Sequence, residues 1–325
     1  MTQQPHNILY EAEPMPIIRI NAVDGRAELH GSSRPFVGAL QQSQQTDGPV
    51  IIMTHGYKYR PEDPDACPHR HILSLRPRVT SWYSPSWPQH LGFGSGFQDE
   101  GLAIAFGWDA RGPLWSAQRR AVEAGKVLAE VIQQLNQFNP QRTIHFIGHS
   151  MGTELALEAL HHIPPGALCR IVSLTGATYQ SRTIAALATP SGRRAEFINI
   201  ISRENDLFDF LYETLVQPPC RGNLSIGAGL TAPNAVTLQI DCPTTLDYLS
   251  SLIFPLAAPK RRICHWSSYT RPGVLRVYNA LLRDPERLCL RTLQLGIPKT
   301  PHQRWSRLFA LPRPQRLLPF AQKAS

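Results

Sequence analysis

Five short runs of nearly uninterrupted apolar residues, spaced by helix-length sequence, constrain this chain more than any other feature. Pro49 to Thr54, Leu102 to Phe106, Thr143 to Ile147, Arg170 to Thr175 and Glu196 to Ile201 are rich in Val, Ile, Leu and Phe and lack strict polar alternation. Such runs are expected to be strands buried on both faces. Between the second and third, Ala121, Gly125, Leu128, Ile132 and Leu135 recur at spacings of four and three. That period predicts an amphipathic helix from about Ser116 to Phe138, stopped by Asn139-Pro140. Leu155, Ala159, Leu160 and Ile163 mark a second helix that ends before Pro164-Pro165-Gly166, a short helix is expected near Thr183 to Ala188, and a closing helix from about Pro272 to Arg283. Strands alternating with helices predict an α/β fold, a mostly parallel central sheet with helices on both faces. Ile17 to Ile20 and Ala27 to His30 read as an antiparallel edge, and Arg262-Ile263-Cys264 as a brief last strand.

Charge divides the chain. There are 33 Lys and Arg against 24 Asp and Glu, a net +9. Six of the basic residues and no acidic one fall between Pro298 and Ser325, which leaves +3 for residues 1–297. The reading is therefore a domain over 1–297 and a basic, proline-rich C-terminal tail over 298–325. Five prolines prevent a long helix in the tail, while Trp305, Leu308, Phe309 and Leu311 give it apolar points. Such a segment is suited to peripheral contact with anionic lipid or an acidic partner. Nucleic acid is not an expected partner, because no binding fold or interleaved aromatic platform accompanies the charge. The six cysteines form no CxxC pair and no dense framework, so free thiols are expected. No secretory signal is visible at the N-terminus and no run approaches the roughly 20 apolar residues that cross a bilayer, which points to a cytoplasmic location. Residues 60–96 are irregular, with six prolines among Trp82, Tyr83, Trp87 and Phe93. An insertion this long after a strand is expected to form a rim or lid over the carboxyl ends of the sheet, where open α/β sheets bind ligands.

The chemistry is carried by Gly148-His149-Ser150-Met151-Gly152, a G-x-S-x-G pentapeptide between an expected strand and an expected helix. A sharp turn there needs neighbours without bulk and holds the serine in a strained conformation. Ser150 Oγ would stand at a helix N-terminus, where free N–H groups and the helix dipole favour an oxyanion. Met151 N–H is the first expected donor.

With this pentapeptide and the order of the other motifs, the chain resembles the α/β-hydrolase superfamily from about Pro49 to Arg283. In that family a His-Gly after the third strand supplies an oxyanion donor, the nucleophile follows the fifth strand, the acid the seventh and the histidine the eighth. His55-Gly56-Tyr57, Ser150, Asp206 and His265 stand in that order. The resemblance implies a Ser150, His265 and Asp206 triad, with Tyr57 N–H as the second oxyanion donor and His55 structural. A serine needs a histidine to take its proton and a carboxylate to fix the tautomer of that histidine. Asp209, Glu204 and Asp241 remain open as the acid. Trp108, Trp82, Trp87 and Trp266 are candidate substrate-binding residues. His69 and His71 with Cys67 lack a fourth ligand at a familiar spacing, so no metal is expected, and acyl transfer of this kind needs no cofactor.

The expected activity is hydrolysis of a small-molecule carboxylic ester through an acyl-enzyme. Thioesterase, amidase or acyltransferase chemistry would use the same residues, and a non-catalytic binding protein of this fold is the reading from another class.

Overall fold

The computed structural model describes residues 17–43, 47–78 and 84–308. Eight strands make one sheet: β1 (Ile17–Val23), β2 (Arg26–Leu29), β3 (Val50–Thr54), β4 (Leu102–Gly107), β5 (Ile144–His149), β6 (Arg170–Leu174), β7 (Glu196–Ile201) and β8 (Ala235–Gln239). Their order across the sheet is β2-β1-β4-β3-β5-β6-β7-β8. Every neighbouring pair is parallel except the β1–β2 edge. The helices are α1 (Phe36–Gln42), α2 (Trp87–His90), α3 (Leu114–Phe138), α4 (Gly152–Ala159), α5 (Gln180–Leu187), α6 (Asp206–Leu215), α7 (Pro243–Ser251), α8 (Ser267–Thr270), α9 (Val274–Arg283) and α10 (Leu290–Gly296).

The continuous apolar strands have the reason expected of them, because successive side chains on a strand point to opposite faces and here both faces are covered. Ile52, Ile104 and Phe146 face one core with Leu128 and Ile132 of α3 and Leu155 of α4. Ile51, Met53 and Ile147 face a second core with Leu249 of α7, Tyr278 and Leu281 of α9 and Leu293 of α10. The apolar residues of the insertion, Ile72, Leu73, Trp87 and Phe93, belong to this second core.

The expected last strand differs from the observed one. Arg262-Ile263-Cys264 pairs with no strand, and Arg262 and Ile263 are exposed. The eighth strand is Ala235–Gln239, buried throughout and in parallel register with β7 from Phe197↔Ala235 to Ile201↔Gln239. A surface loop carrying three cations in sequence, Lys260, Arg261 and Arg262, would bury unpaired charge at a sheet edge, whereas Ala235–Gln239 would not.

The first part of the C-terminal segment packs against the rest of the chain. Arg304 pairs with Glu213 at 2.9 Å, His302 N–H donates to Gln239 Oε1 at 2.7 Å, and Arg307 donates to the carbonyls of Arg261 and Pro259. The remainder of the basic tail, 309–325, lies outside the described residues, as does Trp82. All six cysteines are free thiols. Among the described residues no helix is long and apolar enough to cross a membrane.

Candidate active site

The turn from β5 to α4 sets the position of Ser150. Its backbone has φ +54°, the left-handed region that costs a non-glycine residue about 1–2 kcal/mol. Three backbone bonds hold it there: Ser150 N–H donates to Leu174 O at 2.9 Å, and Ser150 O accepts from Ala177 N–H at 3.0 Å and Thr153 N–H at 3.1 Å. The glycines around it are needed for close approach. A Cβ on Gly152 would fall 2.5 Å from His55 O, and one on Gly56 would fall 2.7 Å from Ser150 Cβ. The loop after β3 is thus pressed against Ser150, and the next residue of that loop, Tyr57, lines the same cavity.

His55 shapes that loop. The Gly56 carbonyl lies 2.9 Å from its Nδ1, and the Trp108 N–H lies 3.1 Å from its Nε2. An N–H can only donate and a carbonyl only accept, so His55 carries its proton on Nδ1. Burial holds its pKa down to about 4, and the ring stays neutral. Among the described residues, neither the Met151 nor the Tyr57 N–H has an acceptor. Both residues line a cavity of about 1420 Å³ together with Ser150 and His265. N–H groups left uncommitted on a cavity wall are available to a negatively charged oxygen in the cavity.

His265 sits on the loop before α8. Its ring stacks on Phe208 at 4.6 Å and lies against His149 at 4.5 Å. His149 Nε2–H donates to the His265 carbonyl at 3.2 Å, so the residue before Ser150 props the backbone of the histidine. Burial, then the fields of His149 and Lys58, holds the His265 pKa well below its ordinary value, and the imidazole is neutral and basic in form at pH 7.

The partner of His265 is a correction to the expected triad. His265 Nδ1 bonds Asn205 Oδ1 at 2.7 Å, and Asp206 makes no bond to the ring. Asp206 Oδ2 instead accepts from Trp305 N–H at 2.6 Å, and its Oδ1 lies 3.2 Å from Arg203 Nη1. Asn205 belongs to the 3₁₀ turn Arg203–Asn205 that precedes α6, and Asp206 is the first residue of that helix. The step in direction between the two residues sends the carboxylate toward the C-terminal segment and leaves the amide facing His265.

Behind the amide stands a carboxylate. Asn205 Nδ2–H donates to Asp209 Oδ1 at 3.0 Å, and the other end of the amide, Oδ1, faces His265 Nδ1. Asn205 Oδ1 therefore accepts from His265 Nδ1–H, and Nε2 is left without a proton. Asp209 is buried beneath Gly227, whose Cβ would fall 2.1 Å from Asp209 Oδ2. Burial raises its pKa to about 7 against the lowering fields of Arg203 and Arg304. The two remaining carboxylates of this region are engaged elsewhere: Glu204 pairs with Arg271, and Asp241 accepts from the Arg203 N–H at 3.1 Å.

Of the tryptophans expected to touch substrate, only Trp266 among the described residues lines the cavity, 40% exposed and 6.2 Å from the His265 ring. Trp108 is buried and stacks on His55 at 5.5 Å, and Trp87 is buried against Tyr269 at 5.4 Å. Both are scaffold. His69 and His71 bond Asn21 and Tyr59 respectively. Asn205 and Thr175 were not legible as site residues. Thr175 lines the cavity with φ +42°, an outlier for a β-branched residue, and no sequence signal announces it.

Residues 37–168 match the model of a family described as an alpha/beta hydrolase of unknown function, DUF900. The match runs from α1 through β3 and the elbow to the loop after α4. No curated protein matches the chain. Family match and sheet topology agree: the chain has the α/β-hydrolase fold.

Proposed function

We propose that the chain is a serine hydrolase that cleaves a carboxylic ester through an acyl-enzyme. The observation that carries this is Ser150 in left-handed backbone on a cavity wall it shares with His265, whose Nδ1 is held by Asn205. Ser150 Oγ attacks the ester carbonyl while His265 Nε2 takes its proton, and the imidazolium so formed is held by Asn205 Oδ1 with Asp209 behind it. The Met151 and Tyr57 N–H groups receive the oxyanion. Collapse of the tetrahedral species expels the alcohol, which takes the proton from Nε2. Water then repeats the sequence on the acyl-serine, with His265 as base, and releases the acid. No step draws on a cofactor.

An amide in place of the carboxylate weakens stabilisation of the imidazolium, and it is the one observation that favours a non-catalytic binding protein. A fluorophosphonate probe separates the two readings. The hydrolase reading expects covalent labelling that is lost in Ser150→Ala, with turnover of short p-nitrophenyl esters. A folded wild-type protein that neither labels nor turns over refutes it.

A further inference from the structure

The cavity that holds Ser150 and His265 has an unbalanced wall. Its lining includes six Lys and Arg residues against three Asp and Glu. The excess of three equals the whole net charge of residues 1–297, so the positive charge of the domain is gathered where the nucleophile is. The acids do little to offset it. Glu204 is committed to Arg271 in a buried pair, and Asp209 is turned toward Asn205. Only Asp65 is left at the rim.

The cations without an acidic partner come from three separate segments. Lys58 stands on the loop after β3, one residue beyond the Tyr57 N–H, with φ +77°. Arg78 comes from the insertion, and Lys260 and Arg261 from the loop between α7 and α8. Among the described residues none of these four lies within ion-pair distance of a carboxylate. All four are exposed, so each keeps its hydration while its field acts on the cavity. Lys58 is near enough to His265 to bear on its protonation. Cations from three segments around one concave, low-dielectric opening focus their field on its contents and raise the local concentration of anions. A neutral ester would derive nothing from this arrangement.

We propose that the substrate is an anionic acyl compound, an ester whose acyl or alcohol part carries a carboxylate or phosphate group, drawn in and oriented by Lys58, Arg78, Lys260 and Arg261. This rests on the hydrolase reading above. The anionic group would lie toward the rim formed by Lys260 and Arg261 while the ester carbonyl sits between Ser150 and the Tyr57 and Met151 N–H groups.

The test compares p-nitrophenyl butyrate with mono-p-nitrophenyl glutarate, which differ chiefly by one terminal carboxylate. The expected kcat/KM advantage of the anionic ester is at least about tenfold at low ionic strength. It should shrink toward parity near 1 M salt, where the Debye length is about 3 Å. The Lys260→Glu, Arg261→Glu double variant should reverse the preference between the two esters. Equal kcat/KM for the two esters, or a preference indifferent to the double variant, overturns the proposal. Calorimetry on Ser150→Ala with monohexyl glutarate and its neutral methyl ester tests the charge preference without turnover. Tighter binding of the anion, lost in the charge-reversed chain, supports the anion preference of the cavity independently of turnover, and equal binding overturns the proposal. Competition by inorganic phosphate against glutarate tells which anion the rim prefers.

Discussion

Replacing Asn205 by Ala asks the most of the site as described. The side chain is buried and bridges His265 Nδ1 at 2.7 Å and Asp209 Oδ1 at 3.0 Å. Its removal leaves the imidazolium of the transition state without an acceptor on Nδ1–H. A hydrogen bond to a charged group contributes about 1.5–3 kcal/mol. At about 1.36 kcal/mol per decade of rate, kcat/KM should fall roughly 10- to 150-fold. The loss should appear mainly in kcat, because the bond strengthens only as His265 becomes charged. The fluorophosphonate labelling rate of Ser150 should fall by a similar factor, since the same proton leaves Oγ in that reaction. Asp209 loses a donor as well, so thermal unfolding should register a cost of about 1–3 kcal/mol. The exchanged pair Asn205→Asp, Asp209→Asn keeps one carboxylate and one amide in the same line and should recover activity that the alanine variant lacks. A folded Asn205→Ala protein with wild-type kcat and labelling rate would refute the assignment of Asn205 as the partner of His265.

Asp209→Asn gives the pH signature. His265 is neutral across the working range, whereas Asp209 ionises at about 7. Beside Asp209 stand Arg203, Arg304, Asp206 and Asn205, and beside His265 stand His149 and Lys58. Wild-type kcat/KM should rise with pH through about 7 as the carboxylate behind the amide charges, and Asp209→Asn should abolish that limb. For stability the sign is opposite. A carboxyl whose folded pKa lies above its unfolded value stabilises most at acid pH and loses that contribution as pH rises toward 7. At about 1.4 kcal/mol per pKa unit the relief is a few kcal/mol, so Asp209→Asn should melt higher than wild type at pH 8; no gain in Tm there would contradict the reasoning. Asp206→Ala should reduce stability far more than its effect on His265 would suggest, by about 3–5 kcal/mol, because Arg203 is left buried without its partner; denaturant unfolding reads this. Gly56→Ala drives a Cβ to 2.7 Å from Ser150 Cβ and should suppress labelling of Ser150 while far-UV circular dichroism stays unchanged.

The legible parts of the site are those written in contiguous residues. Gly148 to Gly152 identified the elbow because the turn imposes its steric demand within five residues, and the apolar strands revealed the parallel sheet because burial on both faces leaves no other composition. His265 was expected from order along the chain, and it lines the cavity with Ser150. The residue that meets His265 did not, because a triad asks for a carboxylate and three lie in Glu204-Asn205-Asp206 and Asp209, whereas the choice among them depends on where a 3₁₀ turn passes into α6. That boundary decides orientation by a single residue, and nothing in the composition marks it. β8 was missed for a related reason. Ala235–Gln239 is short and carries Thr237 and Gln239, and its burial comes from β7 and α10, elements distant in sequence.

The clamp of Trp305 on Asp206 has a consequence in time. The two residues stand 99 positions apart, and the amide that binds the first residue of α6 belongs to a segment made long after the elbow, the sheet and the histidine loop. Trp305 follows His265 by 40 positions, an interval of about 2–8 s at a synthesis rate of roughly 5–20 residues per second. During it a nascent chain holds Ser150, His265 and Asn205 with one wall of their support still unmade. Maturation of the nucleophile should therefore trail compaction of the domain, and a ribosome-bound chain released before Trp305 should resist proteolysis yet take up the fluorophosphonate slowly.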